Sequence, residues 1–178
     1  MAFFKIRADD DILTSDATVV LNFVSFYGKN ISKLNRILRR DKTFNRAYLD
    51  SCSGYTKSSN SSNSLQMTPT TPLAIIVRNR ESLRFVINAG IHRESPVNSY
   101  NINDLIISMD AICKMVMSMP SVNIAIPVYK DTFGKLDTAK AFTVMYDKLK
   151  PYPANVTFYV ATDKEAIKYN KIMTKLAK

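Results

Sequence analysis

The stretch VNIAIPVYKDTFGKLD (residues 122–137) runs from an apolar segment through a polar turn towards an amphipathic one. Residues 122–127 read as a buried strand and residues 138–149 as a helix, with Asp137 placed to cap it. A strand, a tight turn and a helix start form the geometry in which backbone N–H groups cradle a phosphate. Such cradles ordinarily use several glycines, because side chains keep the backbone from a close approach. This turn has Gly134 alone, with Lys130 and Lys135 on either side. The residues leave three readings open: a phosphate site, an altered one, or a plain turn.

On either side of this unit, strand-like and helix-like segments alternate. Residues 3–7 fit an edge strand, Asp9-Asp10-Asp11 a turn, and residues 19–23 (VVLNF) a buried strand. Residues 31–40 and 44–52 fit two short helices, the first with Ile31, Leu34 and Leu38 on one face. Residues 53–71, SGYTKSSNSSNSLQMTPTT, are polar and low in complexity, and read as a mobile surface loop. Residues 73–78 and 85–89 form a plausible hairpin around NRES. Residues 103–119 make a strong helix, with Leu105, Met109, Ile112, Val116 and Met119 at helical spacing and Pro120 beyond. Residues 156–160 are the last strand, and Asp163 is placed to cap a final helix. Strands divided among helices predict an α/β protein, a three-layer α/β/α sandwich with a mixed sheet. The expected division is one domain over 1–162, followed by a basic helix over 163–178.

With 178 residues, 46% of them hydrophobic, the chain can bury one sizeable core. No apolar run approaches the ~20 residues of a membrane span, so no membrane partner is expected. The N-terminal segment turns acidic too soon for a secretory signal. Cys52 and Cys113 lack metal-ligand spacing and His92 is the one histidine, which argues against a histidine-based zinc site. Cys113, within AICKMVM, reads as a buried small hydrophobe. The economical expectation is a soluble protein of a reducing cytoplasm, without cofactor or metal. Its net charge of +10 favours a polyanionic partner: nucleic acid, a nucleotide or an acidic protein surface.

Four loops fall near the ends of the buried strands, where α/β folds place ligands. Asp9-Asp10-Asp11 suits a metal, an adenine amino group or a solvated turn. In NFVSFYGKN, Asn22 is a polar amide ending an apolar strand, and Gly28-Lys29-Asn30 opens a helix as an unspecific anion site. In INAGIHRESP, His92 and Arg93 follow a strand end and would share one loop. The fourth is the turn at 130–135, whose lysines offer point charges to a phosphate. There is no GxSxG elbow, P-loop or recognisable Cys/His pair, so covalent catalysis is not indicated.

In this order the loops resemble those of the macrodomain family, in particular the branch of DarTG-type DNA ADP-ribosyl glycohydrolase antitoxins. DDILTSDATVVLNFV resembles the branch's GDIL-x-S-D-A-x-x-x-x-N-x-x-N segment, and GKNIS its GKGIA helix start. FVINAGIHR resembles YIINFPTKR, and VNIAIPVYKDTFGKLD resembles SIAIPPLGCGNGGLD without a gap. The likeness spans about residues 3–160. It implies recognition of ADP-ribose, and in some members its hydrolytic removal from protein or nucleic acid. Asp11 then matches the acid that contacts adenine, and Asn22 the first asparagine of the ribose-side loop. Thr132, Phe133, Gly134 and Lys135 match the loop around the diphosphate, with Phe133 placed to pack on the distal ribose. Ser25 stands where a second asparagine is expected, and His92 where the branch has a lysine implicated in catalysis. Lys130, Thr132 and Lys135 replace three of the four glycines of GCGNGG, which predicts an altered diphosphate site.

The last segment, DKEAIKYNKIMTKLAK, carries Lys164, Lys168, Lys171, Lys175 and Lys178 at spacings of four, three, four and three. On a helix they form one basic stripe, a track for phosphates or a solvated face. Ile167, Met173, Leu176 and Ala177 are expected on its apolar side. Three functions are therefore in view. The first is an ADP-ribosyl glycohydrolase with Asn22 and His92 in catalysis. The second is a non-catalytic binder of a nucleotide signal, or of a toxin or defence protein, for which a phage origin would suit. The third is a nucleic-acid-binding accessory protein.

Overall fold

In the computed structural model, residues 1–9, 11–29, 32–52, 67–79, 82–93, 99–119 and 121–178 are described. The run Val19–Ser25 forms strand β2, which is buried at every position. Its near-continuous apolar sequence has a physical reason: it is paired on both edges and covered on both faces, so alternation is lost. Around it lie β1 (Phe3–Ala8), β3 (Leu73–Asn79), β4 (Ser82–Arg93), β5 (Ser99–Tyr100), β6 (Asn123–Pro127) and β7 (Asn155–Val160). The sheet order is β1-β7-β6-β2-β4-β3, with β5 also on β4. The five strands from β1 to β4 in that order run parallel, and β3 and β5 run antiparallel to β4. This is the expected mixed sheet.

Five helices cover it: α1 (Lys33–Leu38), α2 (Lys42–Ser51), α3 (Ile102–Met117), α4 (Thr138–Leu149) and α5 (Asp163–Leu176). On one face, Val19, Leu21 and Phe23 of β2 join Met109 of α3, Phe142 of α4 and Tyr169 of α5 in one cluster. On the other, Val20 and Val24 meet Leu34 of α1, and Phe44 and Tyr48 of α2. The layers are thus α/β/α.

Local signals placed several boundaries correctly. Asp137 caps α4, its Oδ1 accepting from the N–H groups of Ala139 at 2.8 Å and Lys140 at 3.1 Å. These N–H groups, Lys140 first and then Ala139, hold the carboxyl below its usual range. The hairpin forms as β3 and β4.

Other expectations need correction. Strand β4 does not stop near residue 89. It runs on to Arg93, so His92 and Arg93 are strand residues paired with Tyr100 and Ser99 rather than members of one loop. The cap of α5 is Thr162, whose side chain accepts from the Glu165 N–H, and Asp163 is the first helical residue. The buried side of α5 is Ala166, Tyr169, Ile172, Met173 and Leu176, whereas Ile167 is 58% exposed and Ala177 is exposed. Spacings of three and four starting from Ala166 set that face, so Met173 and Leu176 lie on it as expected while Ile167 and Ala177 do not. Of the expected mobile loop at 53–71, residues 53–66 lie outside the described residues, as do Asp10 and Asn30.

Candidate functional site

The parallel strands all end at one rim of the sheet. After β2 the chain turns towards β3 and β4; after β6 it turns the opposite way, to β7. Such a reversal opens a crevice between the two strand ends, the usual ligand position in an α/β sheet. Three segments surround it; their described residues are 9 and 11–15 after β1, 26–29 and 32–33 after β2, and 128–137 after β6.

The first segment is a 3-10 turn, Ile12–Thr14, built by its own carboxylates. Asp11 Oδ1 accepts from the Leu13 N–H at 3.1 Å, and the Asp11 N–H donates to Asp9 Oδ1 at 3.0 Å. Among the described residues, no group of three His, Cys, Asp or Glu side chains gathers for a metal ion. The turn is fastened from below by Arg84 of β4, a residue the sequence did not single out. Arg84 is buried, and its guanidinium donates to the carbonyls of Leu13 and Ser15, each at 2.9 Å.

Asn22 does not end its strand: β2 runs on to Ser25, so Asn22 lies at its middle, fully buried, and donates from Nδ2 to Asn88 Oδ1 at 2.8 Å. Asn88, its register partner on β4, donates in turn to the Leu73 carbonyl at 3.1 Å. Asn22 is therefore a structural partner through its amide nitrogen, while its Oδ1 is buried without a partner among the described residues. Ser25 is likewise buried; its Oγ accepts from the Tyr27 N–H at 3.1 Å and its carbonyl from the Tyr48 hydroxyl at 2.7 Å. Burial raises the Tyr48 phenol above its ordinary pKa, which keeps the donor protonated.

Gly28 sits at φ +77°, a backbone conformation that favours glycine. Arg39 donates to the Gly28 carbonyl at 2.5 Å and to Asn45 Oδ1 at 2.7 Å, which fixes the loop against α2. Lys29 is exposed. Ser32 caps α1 through the Asn35 N–H at 3.1 Å. The next amide, Lys33 N–H, donates to Asp131 Oδ2 at 2.7 Å. A carboxylate from the third segment thus takes the anion position at the start of α1.

That third segment is two successive turns, closed by Thr132 N–H to the Tyr129 carbonyl at 3.0 Å and Leu136 N–H to the Phe133 carbonyl at 3.1 Å. Tyr129 reaches across the crevice, and its hydroxyl donates to the Asp9 carbonyl at 2.9 Å. Lys130, Gly134 and Lys135 are exposed, whereas Thr132 is buried and Phe133 is a core residue. The Phe133 ring lies 4.9 Å from that of Phe23, inside the cluster under β2 rather than over the crevice. Gly134 at φ +58° lets the chain leave this anchor and return to the surface before Asp137.

The side chains of His92 and Arg93 lie outside the described residues; their backbones belong to β4 beside the end of β2. The space between Asp11, Leu13, Lys33, Ile37 and Tyr129 is a cavity of about 10 Å³, room for about one water. Lys164, Lys168, Lys171 and Lys175 all lie exposed along α5. Neither cysteine is placed for nucleophilic chemistry: burial pushes the Cys52 thiol up and the Cys113 thiol up to about 12. Among the described residues, no helix is long and apolar enough to cross a membrane.

No family model and no curated protein matches the sequence. Solved structures do match the fold. The macrodomain of Mycobacterium tuberculosis DarG superposes with a TM-score of 0.70 at 13% identity, covering 87% of this chain and 97% of that one. A macrodomain of Oceanobacillus iheyensis gives 0.70 at 11% identity, covering 98% and 92%. DarTG of Thermosipho africanus, solved in complex with ADP-ribose, gives 0.62 at 12% identity, covering 84% of this chain and 39% of that one. The order of strands, the covering helices and these superpositions agree: the chain has the macrodomain fold.

Proposed function

We propose that the protein recognises ADP-ribose, or a target carrying it, in the crevice between the ends of β2 and β6. The observation that carries this reading is the convergence of three segments on one switch-point crevice: the Asp11 turn, the start of α1 and the 128–137 turn. The similar DarTG structure with ADP-ribose supports it. In this reading the exposed Asp11 carboxylate accepts from the adenine amino group. Lys29, Lys130 and Lys135 supply charge to the diphosphate in place of backbone amides lost with the glycines. Asn22 Oδ1 is a buried acceptor, and His92 stands, by the sequence resemblance, where the branch has the lysine implicated in catalysis. The diphosphate would displace the Asp131 carboxylate from the Lys33 N–H.

A second reading is binding without hydrolysis, to sequester a nucleotide signal or to block a toxin or defence protein. The self-filled crevice favours it, since Asp131 and Tyr129 already bridge the segments that a substrate would have to part.

Calorimetry with ADP-ribose, run beside a release assay on an ADP-ribosylated oligonucleotide, separates the two. Binding with release, lost in His92→Ala, supports hydrolysis. Binding with an intact oligonucleotide supports the second reading. Absence of ADP-ribose binding in both the wild type and Asp131→Ala rejects the site.

A further inference from the structure

The two faces of the sheet are covered unequally. Helices α3, α4 and α5 close one face, while α1 and α2 on the other pack against β2 and β3. Over β1, β7 and the start of β6 that second face stays open among the described residues, as a groove of about 250 Å³.

Its side chains stand in rows fixed by the parallel register. The first row is Phe3–Asn155–Asn123, the second Lys5–Thr157–Ala125, and the third Arg7–Tyr159–Pro127. Strand geometry places successive rows about 6.6 Å apart. Phe3, a large apolar residue, is 59% exposed. Lys5 Nζ lies 5.3 Å from the centre of its ring, and the Arg7 guanidinium lies 5.9 Å from that of Tyr159. Asn155 Nδ2 donates to Asn123 Oδ1 at 3.0 Å, which orients both amides at the groove floor. The rim opposite β1 carries Asp16, and Arg7 is paired with Asp9 at 3.2 Å.

We propose that this open face is a second binding site, separate from the crevice, that takes single-stranded nucleic acid. An exposed ring on a sheet surface, flanked by cations in line and by amides that can meet a base edge, is the chemistry that holds unstacked bases. Lys5 and Arg7 follow one another along β1 as a track for successive phosphates. Asp16 repels phosphate on the far rim, so the sugar-phosphate backbone lies over β1 and a base points inward to stack on Phe3, with Asn155 and Thr157 beside it. Duplex is excluded because its bases are not free to enter.

The test is fluorescence anisotropy with labelled oligothymidylate and the full chain, with ADP-ribose binding and thermal unfolding as controls. Phe3→Ala is expected to weaken binding roughly ten-fold. Lys5→Glu should weaken it similarly and lower the salt slope by about one contact. The triple change Lys168→Glu, Lys171→Glu and Lys175→Glu should leave it within about two-fold, as should substitution of Asp11, if the groove is the site and not a general field. Phe3 and Lys5 are exposed, so unfolding temperatures should hold. Three results would overturn the proposal. The wild type binds no oligothymidylate, or the α5 triple variant loses binding that Phe3→Ala keeps. In the third, polyglutamate competes as well as the oligonucleotide, which would mean an acidic protein surface is the better partner.

Discussion

The two faces of the sheet differ in what they bury. Under α3, α4 and α5 the interior is nearly all hydrocarbon, and the polar groups there are satisfied, as Ser108 is by the Gly90 carbonyl at 3.1 Å. Under α1, α2 and the 3-10 turn, every partnerless buried polar atom among the described residues is found: on Ser15, Asn22, Asn35 and Arg84. Unpaired buried polar groups cost stability, so a face that keeps them is retained for something other than packing. One face holds the fold; the other carries the crevice and the open groove.

That contrast can be broken by substitution. The largest effect should come from the first face: Phe142→Ala removes a fully buried ring packed on Phe158 at 4.6 Å and Tyr169 at 5.0 Å. A loss of about 3–5 kcal/mol in urea unfolding is expected. Arg84→Ala on the second face frees the Asp11 turn and should cost about 2 kcal/mol, with weaker ADP-ribose binding. If it costs as much as Phe142→Ala, the division between the faces is wrong. Asn88→Ala strands the Asn22 amide and the Leu73 carbonyl, and a loss of about 1–2 kcal/mol is expected. Asp131→Ala should barely move stability, by less than about 1 kcal/mol, and should tighten ADP-ribose two- to five-fold by vacating the start of α1. Weaker binding in that variant would place Asp131 among the ligand's partners instead of its competitors.

A smaller effect sharpens the role of local capping. Because the N–H groups of Lys140 and Ala139 lower the Asp137 pKa in the folded state, its carboxylate contributes stability above the ordinary value of 3.8. The contribution is lost as the pH falls through the lowered folded value. Asp137→Asn should flatten that acid limb of the unfolding-temperature profile and leave neutral behaviour almost unchanged.

These particulars explain what could be read in advance. Helix α4 and its cap were legible because the signal lies within four residues, Asp137 to Lys140. The burial of Asn22 in an apolar strand was legible from VVLNF, but the strand runs on to Ser25 and its partner Asn88 lies 66 residues away, showing itself only through register. Asp131 was passed over because its bond spans 98 residues, to the start of α1. Phe133 was expected over a ligand, and a turn's sequence does not say which way its middle residue faces; Phe23, on another strand, decides it. The strand character of His92 and Arg93 depends on Ser99 and Tyr100 pairing beyond them. The resemblance in loop order anticipated the fold because it counts positions along the chain, which low identity preserves better than side chains.

The register of the edge strand has a consequence in time. Among the described residues β1 pairs with one strand, β7, with Phe3 opposite Asn155 and Ala8 opposite Val160. During synthesis the first strand therefore waits, without a neighbour, until the last one has left the ribosome. At about 5–20 residues per second that is on the order of ten seconds. The open groove, made by these same two strands and β6, cannot form until the chain has been extended through residue 160.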